Sequence, residues 1–278
     1  MPRSNARLHC ALAIGGLDPG GGAGLAADLR AFAAAGVFGC VAVSVITVQS
    51  TAGLRRVRAV AATEVVKQAE EVLRHQRVRA IKVGALGSEE NVRAVARLVR
   101  RHPGVPLVID TPMLPTHGRG RLLAARAIAL LKDELIGLAT LVTVNLAEAE
   151  ALLGEPVRTV GEAHDAARAL TLTGARAVLV KGGHMSGPSA VDVLAAGGEV
   201  VELRAPRLAL PGVHGTGCTF ASLVAGRLAR RSRSVLHRYE IVAAVRWAKG
   251  VHHRALSQTV DVGHGMRVLV FPPTRASR

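Results

Sequence analysis

Short apolar runs alternate with longer stretches in which apolar residues recur every three to four positions, almost from one end of the chain to the other. The runs Leu8 to Ile14, Cys40 to Val48, Ala80 to Val83, Pro106 to Asp110, Thr140 to Thr143 and Ala177 to Lys181 read as strands. Between them, Leu25 to Ala35, Thr63 to Arg74, Glu89 to Arg100, Arg121 to Leu131 and Val160 to Leu172 carry the apolar stripe of a surface helix. Such alternation predicts an α/β fold, with a mostly parallel central sheet covered by helices on both faces. After Lys181 the rhythm changes. Val191 to Leu194 and Glu199 to Leu203, separated by Ala-Ala-Gly-Gly, predict a hairpin, and two helices follow from about Thr216 to Arg230 and from about Tyr239 to Leu256. No Pro/Ser-rich linker and no fixed repeat interrupts the chain, so residues 1–278 read as a single domain.

Composition narrows the class further. Of 278 residues, 49% are hydrophobic and 2% aromatic, which gives ample material for a core and excludes disordered and collagen-like chains. Every apolar run ends well before the roughly 18 residues that a membrane span requires, and the first residues lack a secretory cleavage pattern, so a cytoplasmic protein is expected. Cys10, Cys40 and Cys218 are far apart and form no C-x-x-C, which argues against disulfides and structural zinc. A net charge of +16 would attract anions. The arginines are spread along helix-like segments, however, as in solvated faces, and one Trp, one Tyr and four Phe offer few stacking platforms for nucleic acid. No nucleic-acid partner and no membrane are therefore expected.

Parallel sheets bind ligands outside the carboxyl ends of their strands. Gly15-Gly16-Leu17-Asp18-Pro19-Gly20-Gly21-Gly22-Ala23-Gly24 leaves the first strand, and its glycines either let backbone approach a ligand or simply make a tight connection. It matches neither the G-x-G-x-x-G register nor the P-loop. Further on, Pro211 to Thr219 runs into the apolar stripe of a helix, so the unpaired N–H groups of Gly215, Thr216, Gly217 and Cys218 would form an anion hole suited to a phosphoryl group. In that first turn the thiol of Cys218 is expected to have a lowered pKa, unless it is merely a small buried residue behind a glycine turn. At other strand ends stand Asp110, the Asn145-x-x-Glu148 pair and Lys181, which suit Mg²⁺ and phosphate but equally suit caps or ion pairs.

The motifs G-G-L-D-P-G-G-G-A-G-L-A-A-D, V-I-T-V-Q-S-T, I-K-V-G-A-L-G-S, V-I-D-T-P-M, T-V-N-L-A-E-A, V-L-V-K-G-G-H and H-G-T-G-C-T occur in this order. Over about residues 8 to 265 the chain resembles the hydroxymethylpyrimidine/phosphomethylpyrimidine kinases of the ribokinase-like superfamily. The resemblance implies a three-layer α/β/α sandwich, a homodimer, and use of ATP with Mg²⁺ to phosphorylate a small pyrimidine in thiamine biosynthesis. It implies that Gly215, Thr216, Gly217 and Cys218 form the anion hole, with Cys218 activating the substrate hydroxyl. Asn145, Lys181 and Thr216 are implied as ATP contacts, Asp110 and Glu148 as metal-side residues, and Gly16, Asp28, Gln49, Ala85 and Pro112 as the acceptor site. An amide such as that of Gln49 presents a donor and an acceptor side by side, as an aminopyrimidine edge requires. Gly20, Ser50, Ala85 and Pro112 stand where the family usually has Ser, Asn, Met and Val. These departures touch the acceptor side more than the phosphate side. They leave a pyridoxal-type kinase, or a non-catalytic ligand-binding relative, as alternatives.

Overall fold

The computed structural model describes residues 8–110, 125–183, 185–231 and 236–271. The eight predicted strands and one more, β3, form a nine-stranded sheet in the order β3-β2-β1-β4-β5-β6-β7-β8-β9. These strands are β1 (Cys10–Leu17), β2 (Phe38–Ser50), β3 (Gly53–Ala59), β4 (Val78–Val83), β5 (Leu107–Asp110), β6 (Leu141–Asn145), β7 (Ala177–Lys181), β8 (Ser189–Ala196) and β9 (Glu199–Pro206). The six from β2 through β7 in that order pair in parallel, while β3, β8 and β9 add antiparallel edges. A short second sheet joins β10 (Val213–His214) to β11 (Arg267–Val268).

Alternating strand residues feed two separate cores, which is why these strands read as nearly continuous apolar runs. Leu12, Ile14, Ile81, Val83, Ile109 and Val142 face one layer, which contains α2 (Ala62–His75), α3 (Glu89–Arg100) and α6 (Val160–Thr171). Ala11, Ala13, Ala80, Val108 and Leu179 face the other, which contains α1 (Gly24–Ala34), α7 (Thr216–Ala229) and α8 (Arg238–Leu256). The second face is built from small residues, so α7 packs closely against it. A Cβ on Gly226 would lie 2.6 Å from Cβ of Ala35, so α7 also approaches the end of α1 without intervening side chains. The expected three-layer sandwich is what the chain forms. Several arginines lie in exposed pairs along helices, among them Arg74 with Glu71, Arg93 with Glu89 and Arg168 with Asp165. This agrees with solvated faces.

Several details differ from the sequence expectation, beginning with β3, an antiparallel edge strand where no strand was expected. The first strand runs on through Gly15, Gly16 and Leu17, with a register shift between the two glycines, so the glycine-rich loop starts only at Asp18. A short helix, α4 (Ala125–Leu130), passes into a π-type turn over Leu131–Leu135 and a tighter turn over Ile136–Leu138. The first part of the predicted Arg121 to Leu131 helix lies outside the described residues. Finally, α5 (Leu146–Leu153) stands where no helix was expected. Strand order reverses between β1 and β4, and the crevice at such a reversal is the usual ligand position.

Candidate active site

A cleft of about 940 Å³ opens at the carboxyl ends of the strands. Gly16, Asp28, Gln49 and Ala85 border it, as do Asp110, Asn145, Glu148 and Lys181. The segment Gly215 to Cys218 also faces it. The sequence candidates thus converge on one site, apart from Pro112, which lies outside the described residues.

The phosphate-side geometry begins with α7. Gly215 caps the helix in the left-handed region, at φ 74°, and no side chain caps the first turn. The leading N–H groups are therefore left for a ligand, where the helix dipole also favours negative charge. The glycine-rich loop presses against this turn: a Cβ on Gly215 would sit 2.0 Å from the carbonyl oxygen of Gly22 and 2.9 Å from Cα of Ala23. At Gly217 a Cβ would approach Lys181 Nζ to 3.2 Å and the Asp110 carboxylate oxygens to 3.5 and 3.6 Å. Backbone amides, an ammonium and a carboxylate thus share one small volume.

Lys181 Nζ donates to Asp110 Oδ1 at 3.0 Å, and the Thr143 hydroxyl donates to the same oxygen at 3.0 Å. Burial works against the charge of Asp110, but Lys181 and then Lys82 outweigh it and hold the carboxyl below the usual range. Asn145 and Glu148 form a capping box on α5: the Asn145 side chain accepts from the Glu148 N–H, and the Glu148 carboxylate accepts from the Asn145 N–H, both at 2.8 Å. The cap reading and the site reading of this pair are both satisfied, because the capped end opens on the cleft.

Cys218 departs from the sequence expectation. Burial pushes its thiol up to about 12, the reverse of the lowered value predicted from its place at a helix N-terminus. Lys82 favours the thiolate, but Asp110 and Asp28 oppose it and desolvation outweighs the rest. At neutral pH the group is a thiol. Alkylation of Cys218 by iodoacetamide, followed site by site with mass spectrometry, is expected to climb about tenfold per pH unit between pH 7 and 10. A plateau below pH 8 would contradict this.

Sequence reasoning missed several residues. Lys82, 1% exposed, donates to both oxygens of the fully buried Asp28 at 3.0 and 3.1 Å, and the Ser222 hydroxyl donates to Asp28 at 2.7 Å. A charged residue inside the apolar run Ala80 to Val83 was the available signal. Burial disfavours the Lys82 ammonium, yet Asp28 beside it outweighs that and its pKa rises. His252 bonds the Thr216 carbonyl at 3.1 Å through Nε2, and burial drives it down to about 4, so it is a neutral donor to the first turn of α7. Among the described residues no group of three His, Cys, Asp or Glu gathers as a metal cage.

The profile of the phosphomethylpyrimidine kinase family matches residues 18–269. The chain belongs to this family. Among its relatives, hydroxymethylpyrimidine/phosphomethylpyrimidine kinase of Rhizobium meliloti is 39% identical over 92% of this chain and 94% of its own. The enzyme of that name from Escherichia coli is 36% identical over the same shares. Among solved structures, Bacillus subtilis pyridoxal kinase in an ADP complex superposes with a TM-score of 0.85 at 28% identity, covering 95% of this chain and 97% of that one. Phosphomethylpyrimidine kinase of Clostridium difficile gives 0.75 at 30% identity, covering 89% and 99%. As a member of the phosphomethylpyrimidine kinase family, the chain is a phosphotransferase with a ribokinase-like fold.

Proposed function

We propose that this phosphotransferase of thiamine biosynthesis uses ATP with Mg²⁺ to phosphorylate the hydroxymethyl group of 4-amino-5-hydroxymethyl-2-methylpyrimidine, its monophosphate, or both. The observation that carries the reading is the convergence of the uncapped α7 turn, Lys181 and Asp110 around Gly217. Phosphoryl transfer needs positioned charge more than covalent chemistry, and this cluster supplies it.

In this reading Lys181 leaves part of its bond to Asp110 to hold an ATP phosphate, with Asn145 and Thr216 nearby on the nucleotide side. Asp110 and Glu148 would hold Mg²⁺. They fit it, because Asp110 is kept ionised and Mg²⁺ usually takes only one or two carboxylates besides water and phosphate oxygens. When bound, the ion neutralises charge on the phosphates. The N–H groups of Gly215 to Cys218 receive the transferred group. Cys218 acts as a hydrogen-bonding thiol that orients the acceptor hydroxyl rather than as a standing base, and a loose transition state asks for little early proton removal. Gly16, Asp28, Gln49 and Ala85 enclose the acceptor, with Pro112 placed there by the family resemblance alone. A single domain, assembled as a cytoplasmic homodimer, completes the reading on that same resemblance. No described helix is long and apolar enough to cross a membrane.

The likeness to pyridoxal kinases at TM-scores of 0.85 and 0.83, together with Ala85 in place of a bulkier wall residue, favours one competing acceptor. ADP release with MgATP and a panel of hydroxymethylpyrimidine, its monophosphate and pyridoxal separates the two. Turnover of the pyrimidines is expected. Turnover of pyridoxal alone overturns the acceptor, and thermal shifts without ADP release would mark a non-catalytic binder.

A further inference from the structure

Immediately ahead of the anion hole, His214 is clamped between the glycine-rich loop, through Asp18 and Gly22, and Gln49 of β2. Its ring is 5% exposed, and a Cβ on Gly22 would lie 2.3 Å from its Cδ2, so the ring has no room to swing towards the glycine-rich loop. Nε2 lies 2.9 Å from Asp18 Oδ2, and Nε2 of the Gln49 amide lies 3.1 Å from the same nitrogen. Asp18 also accepts from the N–H groups of Gly20 and Ala23, each at 2.8 Å.

These contacts fix where the protons are. Burial raises the Asp18 carboxyl, but His214 and the Ala23 and Gly20 amides outweigh it, and the group stays ionised below its usual range. A carboxylate has no proton to give, so Nε2 of His214 must carry the hydrogen. Nδ1 is buried and has no hydrogen-bond partner among the described residues, so a proton there would be a stranded donor. The ring accordingly carries its hydrogen on Nε2. Beside that N–H, Gln49 can bond only through its carbonyl oxygen. Amide oxygen and nitrogen exchange places by a half-turn of the terminal torsion. That half-turn would bring Oε1 onto His214 in a three-centre bond shared with Asp18 and turn the amide NH₂ away.

We infer that His214, held by Asp18, is a positioning residue that turns the NH₂ of Gln49 into the cleft, so that the pocket selects an acceptor molecule offering a ring nitrogen lone pair there. Oε1 keeps a second lone pair for an exocyclic amine next to that nitrogen. This is the edge of a 4-aminopyrimidine, and the inference rests on the acceptor proposed above. It also supplies what the family resemblance lacks, a reason for the donor to face the substrate.

The test is a double-mutant cycle on hydroxymethylpyrimidine kinetics with His214→Phe, Gln49→Ala and both together, and His214→Gln as the conservative variant. His214→Phe is expected to raise KM for the pyrimidine about tenfold, the size of one hydrogen bond, with kcat and KM for ATP moving less than about threefold. His214→Gln restores a donor at the Nε2 position and is expected to recover most of the loss. In the Gln49→Ala background, His214→Phe adds nothing. An equal effect in that background, a loss confined to kcat or ATP, or failure of His214→Gln to rescue would each overturn the inference. If His214→Phe does not fold, nitrogen-15 NMR of the histidines in the wild-type protein decides: Nε2 protonated and Nδ1 bare is expected, and the opposite tautomer overturns the inference. Failure of wild-type turnover on the pyrimidines strikes the proposed acceptor instead, and leaves the tautomer measurement intact.

Discussion

Lys82→Met is expected to destabilise the protein by about 3–5 kcal/mol, read from the midpoint of urea denaturation at neutral pH. The ammonium is 1% exposed and lies against Asp28, which is completely buried. Burial already pushes the Asp28 carboxyl up, and the two partners that offset this are Lys82 and the Ser222 hydroxyl. Methionine fills a similar volume, so the loss comes chiefly from a charge left without its partner rather than from a cavity. The double variant Lys82→Met/Asp28→Asn should therefore recover most of the loss. A single variant within 1 kcal/mol of wild type, or a double variant no better than the single, would show that the pair is not what holds this floor together.

Gly215→Ala is expected to cut kcat by about a hundredfold or more at saturating MgATP, the scale on which a displaced anion hole weakens transition-state stabilisation. Two independent causes act at once. The residue sits at φ 74°, where an L side chain is strained, and the added Cβ meets backbone, 2.0 Å from the Gly22 oxygen and 2.9 Å from the Ala23 Cα. Backbone cannot rotate aside as a side chain can, so the first turn of α7 has to move away from the cleft. Initial rates compared with Gly104→Ala, where a Cβ meets nothing within 4 Å, give the readout. A loss under fivefold would place the reacting phosphate elsewhere.

The parts of the fold that were legible are those in which burial dictates composition. β5, β6 and β7 are buried almost throughout, and their Val, Ile and Leu runs could hardly be anything else. α3 declares itself through Ser88 at its cap, two glutamates in the first turn and arginines in the last. β3 was not legible because it is an edge strand whose Arg55, Arg56 and Arg58 point mostly to water, and its pairing with β2 leaves no apolar run to read. α5 was hidden because Leu-Ala-Glu-Ala-Glu-Ala-Leu-Leu has no one-sided stripe, and its capping box drew notice as chemistry instead of as a helix start. In the site, motif order brought the described candidates to one cleft. What motif order could not supply is tertiary surroundings: the thiol of Cys218 is raised chiefly by its burial, with Lys82, Asp110 and Asp28 acting on it from three different elements. For the same reason the surroundings of His214 are not legible in the motif it begins: Asp18 and Gln49 reach it from distant parts of the chain.

The seam where Gly22 meets His214 and Gly215 leaves no space for an added carbon on either side: one on Gly22 would meet the His214 ring, and one on Gly215 the Gly22 backbone. The first turn of α7 and the glycine-rich loop are thereby built into the same piece of masonry, and neither can be reshaped without the other. On the function proposed above, any lineage that exchanges one heterocyclic alcohol for another on this scaffold must work at cleft positions away from that seam, such as Ala85, while the seam is inherited whole.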